Sequence, residues 1–415
     1  MGTIAFLLDF EEGHFLSTFK LARDLRQRGH RLCYLGLPRA ESMVRQQGFE
    51  FIPILSDLAA SAAASAAAGE KMTLDWLAPM VRGEVLDEVM ERLQPDAFLV
   101  LSLYYPEALV IHCRYRTPIV FLTPQCRTQV RGPWIEGQMI KRLNGLRSTT
   151  LQALVDLVAS LGRPLRSFKD VSQIILPLPE LIFLPAEFEL PELRDDPDVI
   201  YVGPSVDLTR AEEPFSWEAV DPGRFLVFAS LGSQSHLEPL LARRLFQSAV
   251  AAAARHPEWQ LILSIGRGHS ADGFGQLPPN VQVSSWVPQL EVLSRADLMI
   301  THCGTGTCKE CILLGVPMVA LPMMRDQFDM ARRVVHHGLG VEGVLAEITP
   351  EILETLIGRV AADRSYKERI LAMRDTFMTT NGSDKAIEIV ERAMTSVPAM
   401  PQPAAASWQK AGAMR

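Results

Sequence analysis

The stretch ITHCGTGTCKECILLGVP, Ile300 to Pro317, decides the fold prediction for this chain of 415 residues. An apolar strand, Ala296–Thr301, leads into a glycine-rich loop, and a helix over Thr307–Leu314 precedes the next apolar strand, VPMVALP. A helix that connects two strands in this way is typical of a parallel sheet. Short apolar strands and amphipathic stretches alternate in the same manner along most of the sequence. We therefore predict an α/β protein built from parallel sheets.

Three cysteines in this stretch raise the alternative of a metal or iron–sulfur site. Cys303, Cys308 and Cys311 have the spacing C-x4-C-x2-C, with which the plant-type ferredoxin pattern begins. That pattern needs a fourth thiolate, and no cysteine follows Cys311. A helix that begins near Thr307 also leaves Cys303 on the other side of the turn, whereas metal ligands must converge on one point. We predict no metal site and expect buried cysteines that behave as small apolar side chains.

The loop itself has the composition of an anion site. Gly304 and Gly306 allow the backbone to approach a ligand closely. Thr305 and Thr307 add hydroxyl donors beside the free amides of the first helical turn. The positive end of the helix dipole favours an anion there, and His302 can donate a further hydrogen bond to the same anion.

Neighbouring loops decide between an anion site and an ordinary capped corner, in which Thr307 to Glu310 would form a capping box. The run from Trp286 to Gln289 follows one predicted strand, and Asp326-Gln327 follows another. Because the carboxyl ends of parallel strands share one edge of a sheet, the three loops should line one crevice. An indole stacks on a planar base, and carboxylates and amides bind sugar hydroxyls. The set predicts a nucleotide-sugar site: the base on Trp286, the ribose at Gln289 and Glu310, the diphosphate on His302 and residues 304–307, and the hexose near Asp326 and Gln327.

The length and the composition predict two domains. A single core seldom exceeds about 250–300 residues, and 48% hydrophobic with 21% charged residues is typical of a well-packed globular protein. Residues 206–222, rich in Pro, Asp and Glu, are predicted to link a first domain (1–205) to a second domain (223–380). The low-complexity run Ala59–Gly69 fits either a helix or a mobile loop, and we favour a loop at the rim of the cleft; residues 397–415 are expected to be a disordered tail.

Charge, targeting signals and cysteine content exclude some partners and indicate a compartment. The formal net charge of −7 gives no reason to expect a nucleic acid as partner. The start of the chain lacks the basic region and cleavage site of a signal peptide, and no apolar stretch approaches the ~20 residues of a transmembrane helix. A large, core-rich chain needs no disulfide framework. We therefore expect a protein of the reducing cytoplasm.

The run around the opening stretch resembles a known family signature. WVPQLEVL begins at Trp286, THCGTGTCKE spans Thr301 to Glu310, GVP follows at Gly315, and Asp326-Gln327 comes after Pro322. At these spacings the run resembles the donor-binding signature of the UDP-glycosyltransferase superfamily, and in particular of bacterial enzymes that glycosylate natural products such as macrolides. The resemblance implies the GT-B fold, in which two Rossmann-like parallel-sheet domains face a central cleft.

The resemblance also implies roles for the two domains. The first domain would bind the acceptor, the second would bind the nucleotide-sugar, and a helix over residues 381–396 would return to the first domain. Val287 belongs to the implied donor site. Ser230 and Ser233, in the SLGS run that opens the second domain, would lie near the phosphates.

The resemblance implies that His14 is the catalytic base. Gly13-His14 lies between the first strand and the first helix and matches the GH motif of the family. Histidine is suited to remove the proton of an acceptor hydroxyl near neutral pH. The family often orients this histidine with an aspartate after the fourth strand, but Ser102 stands at that position here. Either another carboxylate replaces the aspartate or His14 acts alone. The candidate carboxylates are Asp9, Glu11, Glu12 and Glu107.

The resulting prediction is an inverting, metal-independent glycosyltransferase that moves a hexose from a UDP-sugar to a hydroxyl of an apolar small molecule. Glu310 favours a UDP-sugar over a dTDP-sugar, because a carboxylate suits a ribose diol. No metal cofactor is needed if the helix end and His302 stabilise the departing diphosphate. Aromatic residues of the first domain are expected to contact the acceptor: Tyr104, Tyr105, Phe121 and Trp134. The alternatives are a dTDP-deoxysugar-dependent transferase, a UDP-sugar epimerase, and a non-catalytic sugar-nucleotide-binding or auxiliary protein.

Overall fold

The structure, a computed structural model, describes residues 1–9, 11–67, 75–160, 167–380 and 382–395. These residues form two sheets, one of seven strands and one of six. Every strand pair is parallel, so the predicted architecture of two parallel-sheet domains is confirmed. No helix in the described part of the chain combines the length and the hydrophobicity needed to span a bilayer. The predicted tail, residues 397–415, lies outside the described residues.

The first sheet has the strand order β3-β2-β1-β4-β5-β6-β7. Its strands are β1 (Thr3–Leu7), β2 (Arg31–Gly36), β3 (Glu50–Pro53), β4 (Ala97–Leu101), β5 (Ile119–Thr123), β6 (Glu180–Ile182) and β7 (Ile200–Tyr201). The central strands are continuous apolar runs because helices cover both faces of the sheet. The helices are α1 (Glu12–Gln27), α2 (Glu41–Gln46), α3 (Ser56–Ala67), α4 (Leu77–Arg82), α5 (Leu86–Leu93), α6 (Tyr105–Tyr115), α7 (Arg131–Leu143), α8 (Ser148–Ala159), α9 (Phe168–Ile175) and α10 (Pro191–Arg194).

The second sheet has the order β10-β9-β8-β11-β12-β13. Its strands are β8 (Phe225–Ser230), β9 (Trp259–Ser264), β10 (Val281–Ser284), β11 (Leu298–Thr301), β12 (Met318–Ala320) and β13 (Gly340–Glu342). The helices are α11 (Pro239–Arg255), α12 (Gln289–Leu293), α13 (Thr305–Leu314), α14 (Gln327–His336), α15 (Pro350–Ala362), α16 (Arg364–Thr379) and α17 (Gly382–Thr395). The order places the loops after β8, β11 and β12 side by side at one edge of the sheet.

Two local predictions are wrong. Helix α3 runs to Ala67 through most of the stretch for which a loop is predicted, Ala59–Gly69, because alanine has the highest helix propensity of all residues. Helix α13 begins at Thr305, two residues before the predicted start. Its N-cap is Gly304 without a side-chain hydrogen bond, so the capping box starting at Thr307 does not form.

Buried charged groups join the two domains behind the cleft. Arg333 of α14 donates from Nε to Glu189 Oε1 of the first domain at 2.8 Å. Its Nη2 donates to the backbone carbonyl of Arg127, also of the first domain, at 3.1 Å. Both members of the Arg333–Glu189 pair are buried. Because removal of one partner leaves an uncompensated buried charge, this contact strongly favours one relative position of the two sheets.

The last helix, α17, packs against the first domain. Ile387 and Val390 are buried among the apolar side chains of β1, α1 and β2. His30 Nε2 lies 3.2 Å from Glu391 Oε1, which adds a polar contact at the edge of this apolar interface. The helix that follows the second domain therefore returns to the first domain.

Gly340→Ala should destabilise the second domain. A Cβ at Gly340 would lie 2.0 Å from the carbonyl oxygen of Met318 on the neighbouring strand β12. The two strands would have to separate, so we expect a loss of about 3 kcal/mol in the free energy of unfolding, measured by urea denaturation.

Gly358→Ala is the matched control for this substitution. Gly358 lies in α15, and no described atom lies within 4 Å of a Cβ at this position. Alanine should be neutral there or stabilise the helix by up to ~1 kcal/mol. Equal losses of stability in the two variants would contradict the close approach of β12 and β13.

Candidate active site

The predicted diphosphate loop lies at the carboxyl edge of the second sheet. Strands β8 and β11 pair with Ser230 opposite Thr301, so the loops that follow them are neighbours. The His302 ring packs between Gly232 of one loop and Gly304 of the other. A Cβ at Gly232 would lie 2.5 Å from His302 Cε1, and a Cβ at Gly304 would lie 2.5 Å from its Nε2. The imidazole therefore requires glycine on both sides.

The amino end of α13 provides free backbone donors. The amides of its first turn, from Thr305 onward, have no acceptor within the helix. Gly306 is exposed, and no described atom lies within 4 Å of a Cβ at this position. The helix dipole adds positive potential at the same end. A diphosphate fits this arrangement of amides, hydroxyls and dipole.

His302 is a neutral imidazole beside this helix end. Burial lowers the pKa of its imidazole to about 4, so the ring carries no charge at neutral pH. A neutral imidazole has one N–H to donate. Ser230 and Ser233 lie in the adjacent loop: Ser230 Oγ accepts a hydrogen bond from the Gly232 amide at 3.1 Å, and Ser233 is exposed. The interaction of His302 with a phosphate would be a hydrogen bond, not an ion pair.

Gln289, Thr307 and Glu310 meet at the predicted ribose position. Gln289 Nε2 donates to Glu310 Oε2 at 2.6 Å and to Thr307 Oγ1 at 3.3 Å. The other carboxylate oxygen of Glu310 accepts a hydrogen bond from Arg210, which lies 100 residues earlier in the predicted linker. No local spacing connects Arg210 to Glu310, so the sequence pattern does not reveal this partner.

The guanidinium of Arg267 lies over the ring of Trp286, the predicted base-stacking residue. Arg267 Cζ, in the loop after β9, lies 4.4 Å from the centroid of the indole ring. Arg267 is exposed, and a base that stacks on the same face has to displace it. The Val287 side chain is buried in the hydrophobic core, which leaves only its backbone for contact with a ligand.

Asp326 faces the first domain, whereas Gln327 hydrogen-bonds to the backbone of its own loop. Asp326 Oδ2 accepts a hydrogen bond from Thr305 Oγ1 at 3.1 Å and lies 3.4 Å from the amide nitrogen of Cys126 in the first domain. Gln327 Oε1 accepts hydrogen bonds from the backbone amides of residues 323–324 at 2.9 and 3.0 Å. The carboxylate predicted near the hexose therefore lies where the two domains meet.

His14 of the first domain forms a pair with Asp9. Its Nδ1 lies 2.8 Å from Asp9 Oδ1 and 2.9 Å from Oδ2, and both side chains are largely buried. Nδ1–H therefore donates to the carboxylate, which leaves Nε2 to receive a proton. Asp9, directly after β1, is the partner among the candidate carboxylates.

The position at which the family carries an aspartate has a different role here. Ser102 is fully buried, and its Oγ accepts a hydrogen bond from Gln125 Nε2 at 3.0 Å. Glu107, another candidate partner, is buried and forms an ion pair with Arg142. Among the described contacts, neither residue hydrogen-bonds to His14.

Glu11 connects the two domains beside the histidine. Its Oε2 lies 3.9 Å from His14 Nε2, and its Oε1 forms an ion pair with Arg325 of the second domain. Ligand atoms of Asp9, Glu11 and His14 lie within 4.8 Å of one another, which is close enough to hold a metal ion. Asp9 and His14 already bind each other and Glu11 already binds Arg325, so these groups satisfy one another within the protein.

The surrounding carboxylates raise the pKa of His14. Burial acts to lower it, but the charge and the hydrogen bond of Asp9, together with the charges of Glu11 and Asp326, outweigh burial. The deprotonated imidazole is therefore a stronger base than a free histidine. Arg325, which precedes Asp326 in the chain, forms an ion pair with Glu11, so the donor-side loop reaches the residues beside the histidine.

The predicted acceptor aromatics divide into two groups. Tyr105 and Phe121 are fully buried, with ring centroids 4.9 Å apart in an edge-to-face contact. They form the core of the first domain and offer no surface to an acceptor, which corrects the prediction for these two residues. Tyr104 and Trp134 are half-buried. Burial, and then the nearby carboxylates of Glu107 and Asp9, raise the pKa of Tyr104.

A separate cavity of about 810 Å³ opens in the first domain at the end of β3. It lies between α3, α4, α5 and α8, and its described lining combines apolar residues such as Ile54 and Val89 with arginines such as Arg82 and Arg92. Neither His14 nor any of the predicted acceptor aromatics lines it. The cavity is therefore distinct from the cleft that holds the histidine pair.

Comparison with protein families gives a match in the second domain. The model of the family described as UDP-glucoronosyl and UDP-glucosyl transferase matches residues 239–396. The match extends from the start of α11 to the end of α17 and includes the loops after β10, β11 and β12. Gln289, His302 and the amino end of α13 therefore lie within the matched region, whereas the loop after β8 and Arg210 precede it.

Comparisons with individual proteins agree with this match. The chain is 28% identical over 406 residues to the oleandomycin glycosyltransferase of Streptomyces antibioticus, covering 91% of this chain and 88% of that protein. It is 30% identical over 214 residues to the NDP-glycosyltransferase YjiC of Bacillus subtilis (strain 168), a match that spans 52% of this chain and 53% of that relative. The solved structure of the glycotransferase of kitacinnamycin aligns with a TM-score of 0.74 at 28% identity, over 95% of this chain and 99% of that one. The predicted GT-B fold is confirmed.

Asp9→Asn should lower the pKa of His14 and remove stability mainly at low pH. The folded protein holds the His14 proton more tightly than the unfolded chain, in which the imidazole has its ordinary pKa of about 6.5. The stabilisation is fully present below that pH and is lost as the pH rises through the higher folded pKa. We expect an NMR titration to give a lower pKa in the variant, and urea denaturation to show a larger loss of stability at about pH 6 than at about pH 9.

Asp24→Asn is the control for this titration. Asp24 lies on the same helix α1 and pairs with Lys20 rather than with a histidine. Its replacement should leave the His14 titration unchanged. The same pKa of His14 in Asp9→Asn and in the original protein would contradict the pair.

Gly304→Ala should displace the His302 ring, whereas Gly306→Ala should not. The first substitution places a Cβ 2.5 Å from His302 Nε2, and the second meets no described atom within 4 Å. We expect the imidazole resonances of His302 to shift in the NMR spectrum of Gly304→Ala only. Shifts of equal size in both variants would mean that the ring is not held between the two glycines.

Proposed function

We propose that this member of the UDP-glycosyltransferase superfamily transfers a hexose from a UDP-sugar to a hydroxyl of an apolar small-molecule aglycone. One observation carries the proposal: Glu11 beside the His14–Asp9 pair forms an ion pair with Arg325, and the adjacent Asp326 accepts a hydrogen bond from Thr305 at the amino end of α13, so that pair and helix end share one cleft. A base and an anion site that belong to different domains are what transfer between two substrates requires. The names of the relatives, which include an oleandomycin glycosyltransferase, support a natural-product acceptor.

The first step of the proposed reaction is removal of a proton by His14. The acceptor hydroxyl gives its proton to His14 Nε2, while Nδ1–H stays bonded to Asp9 and stabilises the imidazolium that forms. The acceptor oxygen forms a bond to the anomeric carbon as the bond from that carbon to the diphosphate oxygen breaks. A single displacement of this kind inverts the configuration at the anomeric carbon.

The departing diphosphate carries the negative charge that develops in this step. The amides at the amino end of α13, its dipole and the neutral His302 are placed to stabilise that charge. We propose on this basis that transfer needs no metal ion. The Asp9–Glu11–His14 group bears on this proposal, because a cation bound there would take the imidazole nitrogen that orients the base.

The donor is proposed to be a UDP-sugar rather than a dTDP-sugar. Glu310 and Gln289 form a carboxylate–amide pair beside the anion site. The carboxylate can accept hydrogen bonds from the two hydroxyls of a ribose, and the amide can accept from them or donate to them. A deoxyribose offers only one of these hydroxyls.

The non-catalytic alternative loses its main support. It rests on Ser102, which leaves the histidine without the aspartate that the family often provides. Asp9 supplies a carboxylate to His14 from the end of a different strand, and this pair supports a catalytic role for the histidine.

Product formation from a donor panel tests the proposed function. The protein is incubated with UDP-hexoses, dTDP-hexoses and a mixture of phenolic and aliphatic aglycones, and added hexose is detected by mass spectrometry. We expect products with a UDP-hexose, and a rate at least about 100-fold lower in His14→Gln, which keeps a polar side chain but cannot accept the proton.

Two further arms complete this assay. His256→Gln changes a histidine at the end of α11 that pairs with Glu258, and it should keep the full rate. Addition of EDTA should also leave the rate unchanged, whereas a loss of activity that a divalent cation restores would contradict metal independence. Tight binding of UDP without transfer to any acceptor would favour the non-catalytic alternative.

A further inference from the structure

The predicted linker is docked on the donor side of the cleft as a strap, defined here as residues 207–217. At its start, Asp207 is buried and lies 2.9 Å from Arg23 of α1 in the first domain. At its end, Trp217 Nε1 donates a hydrogen bond to Glu291 of α12, and Arg295 Cζ lies 3.8 Å from the centroid of the indole. The strap is therefore fixed to both domains.

Arg210, in the middle of the strap, connects two carboxylates. Its Nη1 donates to Glu310 Oε1, while Nε and Nη2 donate to Glu212 Oε1 at 3.2 and 2.9 Å. Glu212 in turn accepts hydrogen bonds from the backbone amides of Leu290 and Glu291 in α12. The guanidinium is thus held on the strap side by Glu212 and reaches Glu310 from a fixed direction.

Glu310 is held from two sides by these contacts. Oε1 accepts from Arg210 and Oε2 accepts from Gln289, and the side chain is only 6% exposed. A buried carboxylate without a counter-ion would be strongly disfavoured. Each carboxylate oxygen can accept more than one hydrogen bond, so the arrangement fixes the carboxylate and still leaves acceptor capacity for a hydroxyl.

Charge gives a second reason for the contact with Arg210. Glu310 lies one turn from the amino end of α13, where the proposed diphosphate binds. An unpaired carboxylate at this distance would repel the diphosphate, and the repulsion would be little screened because the site is buried. The Arg210 guanidinium neutralises that charge without occupying the amides of the helix end.

We propose that Arg210 is a positioning residue that fixes the Glu310 carboxylate for the ribose 2′-hydroxyl, so that the interdomain strap contributes to the choice between a ribonucleotide and a deoxyribonucleotide donor. This inference rests on the proposed function, which places the ribose at Glu310 and Gln289. It adds a residue outside the donor loops, and it predicts an effect on nucleotide discrimination rather than on proton transfer.

The affinity of the intact protein for UDP and for 2′-deoxy-UDP tests the inference. Dissociation constants of both nucleotides are measured by isothermal titration calorimetry in the original protein, Arg210→Gln and Arg210→Lys. We expect the original protein to bind UDP more tightly than 2′-deoxy-UDP. In Arg210→Gln the ratio of the two dissociation constants should fall about tenfold, which corresponds to the loss of one hydrogen bond to a charged group. Arg210→Lys should keep part of it, because an ammonium retains the charge but cannot bridge both carboxylates in the same plane.

Trp217→Phe is the matched control, because it loosens the end of the strap without changing the contacts of Arg210. It should keep the preference for UDP, and thermal unfolding should show that all variants are folded at the temperature of the titration. An unchanged preference in Arg210→Gln, or an equal loss in Trp217→Phe, would overturn the role of Arg210. Tighter binding of both nucleotides by Arg210→Gln would also overturn it, because Arg210 would then obstruct the site.

Failure of the proposed function would have a different signature. An original protein that binds neither nucleotide, and that forms no product from any nucleotide-sugar, would contradict the donor site itself. An original protein that binds both equally would contradict the ribose position and, with it, the role of Arg210. A protein that prefers UDP and keeps that preference in Arg210→Gln would contradict only the positioning role of Arg210.

Discussion

The buried ion pair between Arg333 and Glu189 is the contact on which the geometry of the cleft depends. It joins α14 of the second domain to the first domain, and a second hydrogen bond from Arg333 reaches the carbonyl of Arg127. Such a pair tolerates little displacement, because either charge left alone in the interior would be strongly disfavoured. The same helix begins one residue after Asp326, so the pair also determines how closely this carboxylate approaches His14.

Helix α13 divides its residues between the core and the cleft. Cys308 and Cys311 are fully buried beneath it and, with Cys303 before its first turn, join the apolar cluster that both domains share. The amino end, by contrast, begins with Thr305 and the exposed Gly306 and opens toward the cleft. Small apolar cysteines on the inner face allow the helix to lie close to the sheet, and this brings its free amides next to His302.

The sequence predicts the parallel sheets and the donor loops well, because both depend on local patterns of apolar runs and glycine-rich turns. It does not predict Arg210 or Arg267, since each meets its partner only after the chain has folded over a long separation. The sequence also does not show which aromatic residues of the first domain face the cleft. Composition identifies Tyr105 and Phe121 as apolar, but only the packing of α6 against β5 determines that both point into the core.

His14 has a carboxylate partner, Asp9, although Ser102 stands where the resembled family often carries an aspartate. Strands β1 and β4 pair with Leu7 opposite Val100, and Asp9 and Ser102 each lie two residues beyond this pair. The carboxylate is therefore supplied from the tip of the neighbouring strand, at the equivalent level of the sheet. Asp9 is only five residues from His14: it follows β1 directly, and His14 lies in the first turn of α1, so one strand-to-helix connection carries both members of the pair. The tip of β4 is then free to use Ser102 in packing against Gln125.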